Sequence, residues 1–210
     1  MIEARSKAYT DWLARRTAPP AEVMAGVRGG AYQPLRLDTA AAMPDAPGRR
    51  IGGYGEDRAI YTSPIFAGDG EPRTVHLGLD IFAPAGEAVF APLAGRVHSF
   101  RDNANPLDYG PTIVLEHAIE DGLVFYTLYG HLSRESLSGL RTGQALVAGQ
   151  RLGWLGAAEV NGGWPPHLHV QVMLDLMGYE GDFPGVCRRS ERARWIETCP
   201  DPGPLLGIAP

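Results

Sequence analysis

Short apolar segments, separated by turn residues, are the feature that most constrains the fold of this chain. From residue 60 onward, apolar residues concentrate in brief runs at close spacing, and turns such as Thr142-Gly143 and Ala148-Gly149 lie between them. The runs span residues 95–100, 112–117, 123–132, 151–155 and 167–174. Short runs with turns between them are typical of antiparallel sheets joined by hairpins. The sequence therefore predicts a mainly β fold, an antiparallel β-sheet sandwich with helices only at its edges.

The segments outside these runs are predicted to form peripheral elements. Residues 1–16 mix charged and apolar residues in a helical pattern, which predicts an amphipathic helix. Residues 17–50 are rich in Pro, Gly and Ala and predict an irregular arm or partial cover, and residues 190–198 predict a short helix. We therefore expect three parts, namely an N-terminal helix and arm (1–50), a β domain (51–180) and a C-terminal extension with a short helix (181–210).

Two histidines share one face of the last predicted strand. His167 and His169 are two residues apart, and Leu168 and Val170 alternate with them. Because successive side chains of a strand point to opposite faces, the two imidazoles lie on the same side. This arrangement suggests a metal site or a proton relay. An HxH pair alone is equally compatible with a polar strand face, so its interpretation depends on other parts of the chain.

An upstream segment, residues 75–81, offers a histidine and a carboxylate. Its apolar residues alternate with His76, Gly78 and Asp80, which is the period of a strand. Positions four apart on a straight strand lie about 13 Å from each other, whereas ligand atoms lie about 2 Å from a shared zinc. A shared metal therefore requires a bend, and Gly78 permits a bulge or kink. Without a metal, the segment would be a half-buried edge strand with an incidental His and Asp.

The chemistry of a hydrolytic zinc site accounts for five polar residues. A catalytic zinc takes three protein ligands, keeps a fourth position open for water and lowers the pKa of that water. A further His or Glu has to reach the water or the leaving group without binding the metal. The residues that fit are His76, Asp80 and His169 as ligands, with His131 and His167 as the further pair.

The order of these motifs resembles that of the lysostaphin-like zinc endopeptidases. The site motifs are HxxxD at 76–80, Tyr-Gly-His-Leu-Ser at 129–133 and HxH at 167–169. The resemblance covers residues 74 to 174 and includes further matching segments at 82–89, 94–97, 109–110, 112–117 and 147–153. Ordered motifs at such intervals seldom recur by chance.

The resemblance implies a lysostaphin-like β-sheet fold and a zinc-dependent endopeptidase or related amide hydrolase that uses a metal-bound water. Peptidoglycan-like or other Gly/Ala-rich peptides are the implied substrate class. By position, it implies Zn²⁺ ligation by His76, Asp80 and His169. It also implies that His131 and His167 orient the water and handle protons.

One departure from the family pattern lies directly after the HxH motif. The family commonly has an aromatic residue and then Glu, whereas this chain has Val170 and Gln171. An amide can still form hydrogen bonds, but it adds no negative charge next to a histidine. We expect this change to tune activity rather than abolish it.

Charge and cysteine usage limit the partners and the compartment. The formal net charge is −5 and the pI is about 5.7, so there is no basic field for nucleic acid or other polyanions. The sequence shows neither a secretory h-region nor an apolar stretch long enough to span a membrane. We therefore expect a cytoplasmic protein, in which Cys187 and Cys199 are reduced thiols. A disulfide between them is the alternative for an exported form.

Two other functions stay open at this point. The chain could be a non-catalytic or regulatory metal-binding module, although retention of His131 and His167 argues against lost activity. Segments 106–111, 181–186 and 199–202 are also similar to family domains that are fused between a small-molecule phosphotransferase and a class III aminotransferase. This weaker resemblance implies partnership with such metabolic enzymes.

Overall fold

Short strands make up most of the regular structure in the computed structural model, which describes residues 2–40, 42–44, 48–68, 70–119 and 122–208. The helices are α1 (Ile2–Arg15), α2 (Pro64–Ala67), α3 (Arg192–Thr198) and α4 (Pro202–Leu206). The strands up to residue 103 are β1 (Gln33–Leu35), β2 (Arg50–Gly52), β3 (Arg73–His76), β4 (Leu79–Phe82), β5 (Ala88–Phe90) and β6 (Gly95–Asn103). The later strands are β7 (Gly110–Ala118), β8 (Val124–Gly130), β9 (Ala145–Leu146), β10 (Arg151–Trp154), β11 (His167–Met173) and β12 (Val186–Arg188). Short 3₁₀ helices span Arg134–Leu137 and Arg189–Glu191.

One large sheet organises the fold. Its eight strands follow the order β1-β2-β4-β11-β8-β7-β6-β9, and its neighbours are antiparallel except for the parallel pair β1 and β2. Two small antiparallel pairs, β5 with β10 and β3 with β12, complete the strands. The predicted mainly β, antiparallel fold is confirmed.

Both faces of the central strands are buried. On β7, Ile113 and Leu115 belong to the largest apolar cluster, whereas Val114 between them belongs to a second cluster on the opposite face. On β11, Leu168 and Val170 contact the largest cluster. Since side chains alternate along a strand, His167 and His169 lie on the opposite face, as the sequence analysis predicts.

The chain termini cover parts of the sheet. Tyr9 of α1 packs edge-on against Phe125 of β8, with 5.1 Å between ring centroids. Phe183 and Cys199 of the C-terminal segment are buried members of the second cluster, which lies on the face of the sheet that carries His167 and His169. In the part of the chain that the structure describes, no helix combines the length and apolar character needed to cross a membrane.

Candidate metal and catalytic site

Strands β4, β11 and β8 of the large sheet, together with β3 of a two-stranded sheet, bring the predicted site residues together. His76 ends β3, Asp80 lies in β4, and His167 and His169 lie in β11. β11 pairs with β4 so that His169 stands opposite Asp80, and it also pairs with β8, which ends immediately before His131. All five residues line one cavity, although they come from three separate parts of the sequence.

The facing polar atoms of His76, Asp80 and His169 form a small triangle. The Oδ1 atom of Asp80 lies 3.2 Å from Nε2 of His76 and 3.1 Å from Nδ1 of His169, and the two nitrogens are 3.0 Å apart. Ligand atoms about 2 Å from one zinc at tetrahedral angles lie about 3.3 Å from each other. The three edges match this spacing, and all three residues are buried. The cluster therefore fits Zn²⁺.

Hydrogen bonds outside the triangle fix the tautomers of both imidazoles. Nδ1–H of His76 donates to the carbonyl oxygen of Gly53 at 3.1 Å, which leaves Nε2 unprotonated towards the triangle. Nε2–H of His169 donates to Oε1 of Gln171 at 3.0 Å, which leaves Nδ1 unprotonated. Such outer partners orient metal ligands and hold them in the binding tautomer.

Gln171 does more than replace the glutamate of the family pattern. While its Oε1 accepts from His169, its Nε2 donates to the carbonyl oxygen of Pro184 at 3.2 Å and to Sγ of Cys199 at 3.3 Å. A carboxylate has no hydrogen to donate to Pro184. The amide therefore suits this chain because the C-terminal segment presents an acceptor at this position.

The bend predicted at Gly78 is present. β3 ends at His76 and β4 begins at Leu79, so the strand is interrupted between the two candidate ligands. A Cβ atom at Gly78 would lie 2.7 Å from both Cε1 and Nε2 of His169. Glycine is needed at this position because the histidine ring approaches the backbone closely.

His131 and His167 present unprotonated nitrogens to the same cavity. Nδ1–H of His131 donates to the carbonyl oxygen of Asn161 at 2.9 Å, and Nδ1–H of His167 donates to that of Pro165 at 2.7 Å. The centroids of the two rings are 4.2 Å apart, and Nε2 of His167 is 3.7 Å from Oδ1 of Asp80. Each neutral ring therefore has an Nε2 lone pair that can accept a proton.

The backbone at His131 is held in an uncommon conformation. Its φ is 62°, in the left-handed region that residues other than glycine seldom adopt. The amide of His131 donates to the carbonyl of Tyr109 at 2.8 Å, and its carbonyl accepts from the amide of Gly156 at 2.8 Å. Such strain costs on the order of 1–3 kcal/mol and persists only where the surroundings enforce it.

Burial lowers the pKa values of three histidines in the cluster, and nearby charges lower the pKa of Asp80. Burial, helped by the nearby charge of Arg58, lowers the pKa of His76 to about 4. Burial also lowers the pKa values of His131 and His167. Burial opposes ionisation of Asp80, but the charges of His76 and Arg58 outweigh it and hold the pKa of this carboxyl well below its usual range. The site therefore combines the neutral imidazoles of His76, His131 and His167 with one carboxylate, and neutral imidazoles and ionised carboxylates are the forms that bind a metal.

A family comparison identifies this arrangement. Residues 74–179, about half of the chain, match the family model described as peptidase family M23. The chain belongs to peptidase family M23. It is therefore a zinc metalloendopeptidase, and its His–Asp–His cluster fits the metal.

Several solved structures are similar to this M23 peptidase. The catalytic domain of the antimicrobial peptidase lysostaphin from Staphylococcus simulans is 27% identical, with a TM-score of 0.45 over 64% of this chain and 80% of that domain. A putative M23 peptidase from Pseudomonas aeruginosa is 22% identical, with a TM-score of 0.45 over 97% of this chain and 61% of that one. A zinc-containing peptidase from Vibrio cholerae is 27% identical, with a TM-score of 0.44 over 62% of this chain and 36% of that one. No curated protein matches the chain significantly.

Segments outside the matched M23 region complete the walls of the site. The cavity has a volume of about 300 Å³. Tyr61 and Phe66, which precede the matched region, form an aromatic wall together with Trp164 inside that region, and the ring centroids of Tyr61 and Phe66 are 4.7 Å apart. Phe183 and Pro184 of the C-terminal segment, which follow the matched region, also line the cavity. The lining of the M23 site therefore includes residues from both parts of the chain that flank the family region.

Two features of the M23 site escaped the sequence analysis. Arg58, which is fully buried, donates from Nη1 to Oδ2 of Asp80 at 2.5 Å. Gly53 provides the carbonyl that orients His76. Neither residue lies in a recognisable motif. The contacts of both residues with the site form only because residues 53–58 pack close to β3.

Cys187 and Cys199 are free, buried thiols in this structure.

Proposed function

We propose that this M23 peptidase hydrolyses peptide bonds between residues with small side chains. In this proposal His76, Asp80 and His169 hold the zinc, and His131 and His167 transfer protons. The observation that carries it is the 3.0–3.2 Å triangle of ligand atoms beside two further imidazoles with unprotonated Nε2 atoms.

The residues divide the work of hydrolysis between them. Zinc bound to the triangle would polarise the scissile carbonyl and lower the pKa of a water. In this proposal, Nε2 of His131 or His167 accepts the proton of the attacking water and then returns it to the leaving amine. Because burial lowers both pKa values, the two rings stay neutral at pH 7 and act first as bases.

The size of the cavity supports small residues around the scissile bond. Its volume of about 300 Å³ lies at the lower end of the range for ligand pockets, about 300–1,000 Å³. Small side chains let a peptide carbonyl approach the candidate metal position between the aromatic wall and the C-terminal segment. Gly- and Ala-rich peptides of the peptidoglycan type are therefore the substrate class that we propose.

We also propose that residues 51–180 form the peptidase domain and that residues 1–50 and 181–210 are parts that flank it.

Peptide cleavage tests the substrate class. Short peptides that contain Gly–Gly, Gly–Ala or D-Ala bonds are incubated with the chain and analysed by mass spectrometry. We expect cleavage that a chelator stops and added zinc restores, with bulky peptides such as Phe–Leu sequences left intact. No cleavage across the panel, with one zinc verifiably bound, would overturn the proposal and favour a regulatory metal-binding module or a partner of phosphotransferase and aminotransferase enzymes.

Alanine variants test the assignment of roles. His76→Ala, Asp80→Ala and His169→Ala should each lose stoichiometric zinc, measured by elemental analysis. His131→Ala and His167→Ala should keep zinc, whereas turnover falls by about 10²-fold to 10⁴-fold.

His98→Ala is the matched control for the alanine variants. His98 lies in β6 and contacts Ser99, and the variant should keep both zinc and turnover. Full zinc in the His169 variant, or loss of zinc in the His131 variant, contradicts the assignment.

A further inference from the structure

A fully buried arginine lies directly behind the candidate metal site. Arg58 precedes β3, outside the matched region 74–179, and 0% of its surface is exposed. A guanidinium keeps its charge in proteins, and burial of a charge is costly unless partners compensate it. The residues around Arg58 therefore determine whether this charge is only tolerated or has a role.

The three nitrogens of the guanidinium all donate to neighbours. Nη1 donates to Oδ2 of Asp80 at 2.5 Å and to the hydroxyl of Tyr61 at 2.9 Å. Nε donates to Oε2 of Glu56 at 3.1 Å, and Nη2 donates to the carbonyl oxygen of Gly53 at 3.2 Å. This set of directions matches the rigid fork of an arginine and cannot be reproduced by a single ammonium group.

The contact with Asp80 divides its carboxylate between two tasks. Oδ2 accepts from Arg58, whereas Oδ1 faces the nitrogens of His76 and His169. With Oδ2 engaged, only one oxygen of Asp80 is available to a metal. Arg58 thus defines Asp80 as a ligand through one oxygen.

The contact with Gly53 extends the influence of Arg58 to a second ligand. The carbonyl oxygen of Gly53 accepts both from Arg58 and from Nδ1–H of His76. The backbone reinforces this link, because the amide of Arg58 donates to the carbonyl of Thr74 and the amide of His76 donates to that of Glu56, each at 2.9 Å. One side chain therefore fixes two of the three candidate ligands.

We propose that Arg58 is a positioning residue for the metal site. Arg58 holds Asp80 as a one-oxygen ligand and fixes the ring of His76 through the carbonyl of Gly53. The inference rests on the proposed ligand set of His76, Asp80 and His169. Without the guanidinium, the second oxygen of Asp80 is free to bind the metal as well, and the number of ligand atoms rises. The site also loses preorganisation, because neither Asp80 nor the Gly53 carbonyl is held.

Cobalt substitution tests this role without any measurement of peptide cleavage. Co²⁺ replaces zinc in the full chain, and its visible absorption weakens as the coordination number rises above four. In Arg58→Met we expect a weaker band and a metal affinity about 10–100-fold lower. Arg58→Lys keeps the buried charge but donates from one nitrogen, so its band and affinity should lie between those of Arg58→Met and the unmodified chain. If Arg58→Met does not fold, Arg58→Lys carries the test.

A matched variant on the other side of Arg58 separates positioning from general destabilisation. Glu56→Gln removes a charge from the same network, but its amide oxygen still accepts from Nε of Arg58. This variant should keep the cobalt spectrum even where its unfolding midpoint falls. An unchanged spectrum and affinity in both Arg58 variants, or an equal spectral change in Glu56→Gln, would overturn the proposal.

Cobalt binding also tests the ligand set on which the inference rests. The unmodified chain should bind one Co²⁺, and His169→Ala should not. If either expectation fails, the ligand assignment and the role of Arg58 both fall. If both hold and the Arg58 variants behave like the unmodified chain, only the role of Arg58 falls.

Discussion

Replacement of Gln171 by leucine should weaken both the fold and the metal site. Gln171 is fully buried, accepts from His169 at 3.0 Å and donates to the carbonyl of Pro184 at 3.2 Å. A leucine side chain at this position would remove both hydrogen bonds and leave Nε2 of His169 with only the longer 3.5 Å contact to the hydroxyl of Tyr109. A buried group that loses its partner costs about 1–3 kcal/mol, so the free energy of unfolding of the metal-free protein should fall by up to about 6 kcal/mol. Loss of the bond that orients His169 should also weaken zinc binding by about 10–100-fold.

Gln171→Glu should separate these two effects. A carboxylate still accepts from Nε2–H of His169, and its charge strengthens that bond. It cannot donate to the carbonyl of Pro184, which then faces a second acceptor instead of a donor. We therefore expect the Glu variant to bind zinc at least as tightly as the unmodified chain, while its metal-free form is less stable by about 1–3 kcal/mol.

Two measurements on the same samples check this reasoning. Zinc affinity is obtained by competition with a chromophoric chelator, and stability by denaturant unfolding of the metal-free protein. Gln33→Leu, at an exposed position in β1, serves as the control and should change neither quantity. Unchanged zinc affinity in Gln171→Leu would refute the role of the amide in orienting His169. Unchanged stability in Gln171→Glu would refute the importance of the Pro184 contact.

Three further predictions follow from the structure. Gly78→Ala should lower zinc affinity at least tenfold in a chelator competition assay, because its Cβ would lie 2.7 Å from the ring of His169; a native affinity would contradict the close approach. As the pH falls from 6.5 to about 4, the stability of the metal-free protein should decrease, and His76 should contribute about 1.4 kcal/mol per pH unit to this decrease. The sign follows because the pKa of His76 is lowered to about 4 in the folded protein, so the unfolded chain takes up protons first as the pH falls. When the free energy of unfolding is measured with denaturant and plotted against pH, His76→Gln should show a shallower slope than the unmodified chain. An equal slope would contradict the lowered pKa. Cys187 and Cys199 should react slowly with a thiol reagent in the native protein and rapidly in denaturant, since burial raises both pKa values to about 12; rapid native labelling would contradict their burial.

Local patterns were sufficient to predict most of the regular structure. The helix predicted over 1–16 is α1 (Ile2–Arg15), and the run at 112–117 lies within β7 (Gly110–Ala118). The short helices α2 and α4 were not predicted, because four or five residues are too few to show a helical period. The arm predicted to be irregular contains β1, whose parallel pairing with β2 depends on tertiary contacts.

For the candidate site too, residues in local motifs could be predicted, whereas residues that depend on tertiary contacts could not. The meeting of the five motif residues at one cavity could be predicted, because the spacing of HxxxD and HxH is local and a shared metal would constrain how they meet. Arg58 could not be predicted, since it contacts Asp80 across 22 positions of sequence with no motif around it. The amide at position 171 was recognised only as a departure from the family pattern. Its physical reason, the carbonyl of Pro184, comes from a segment that folds back over the strand.

The sequence distance between the facing imidazoles links zinc supply to the lifetime of the folded chain. His76 and His169 are 93 positions apart, so an unfolded chain offers no preformed cluster, and with the proposed ligands zinc would bind almost only to the folded state. Mass action then adds about 4 kcal/mol to stability when free zinc exceeds the dissociation constant a thousandfold. Depletion of zinc would remove this contribution and expose the loosened chain to proteases. Metal scarcity would thus reduce the abundance of the enzyme as well as its activity.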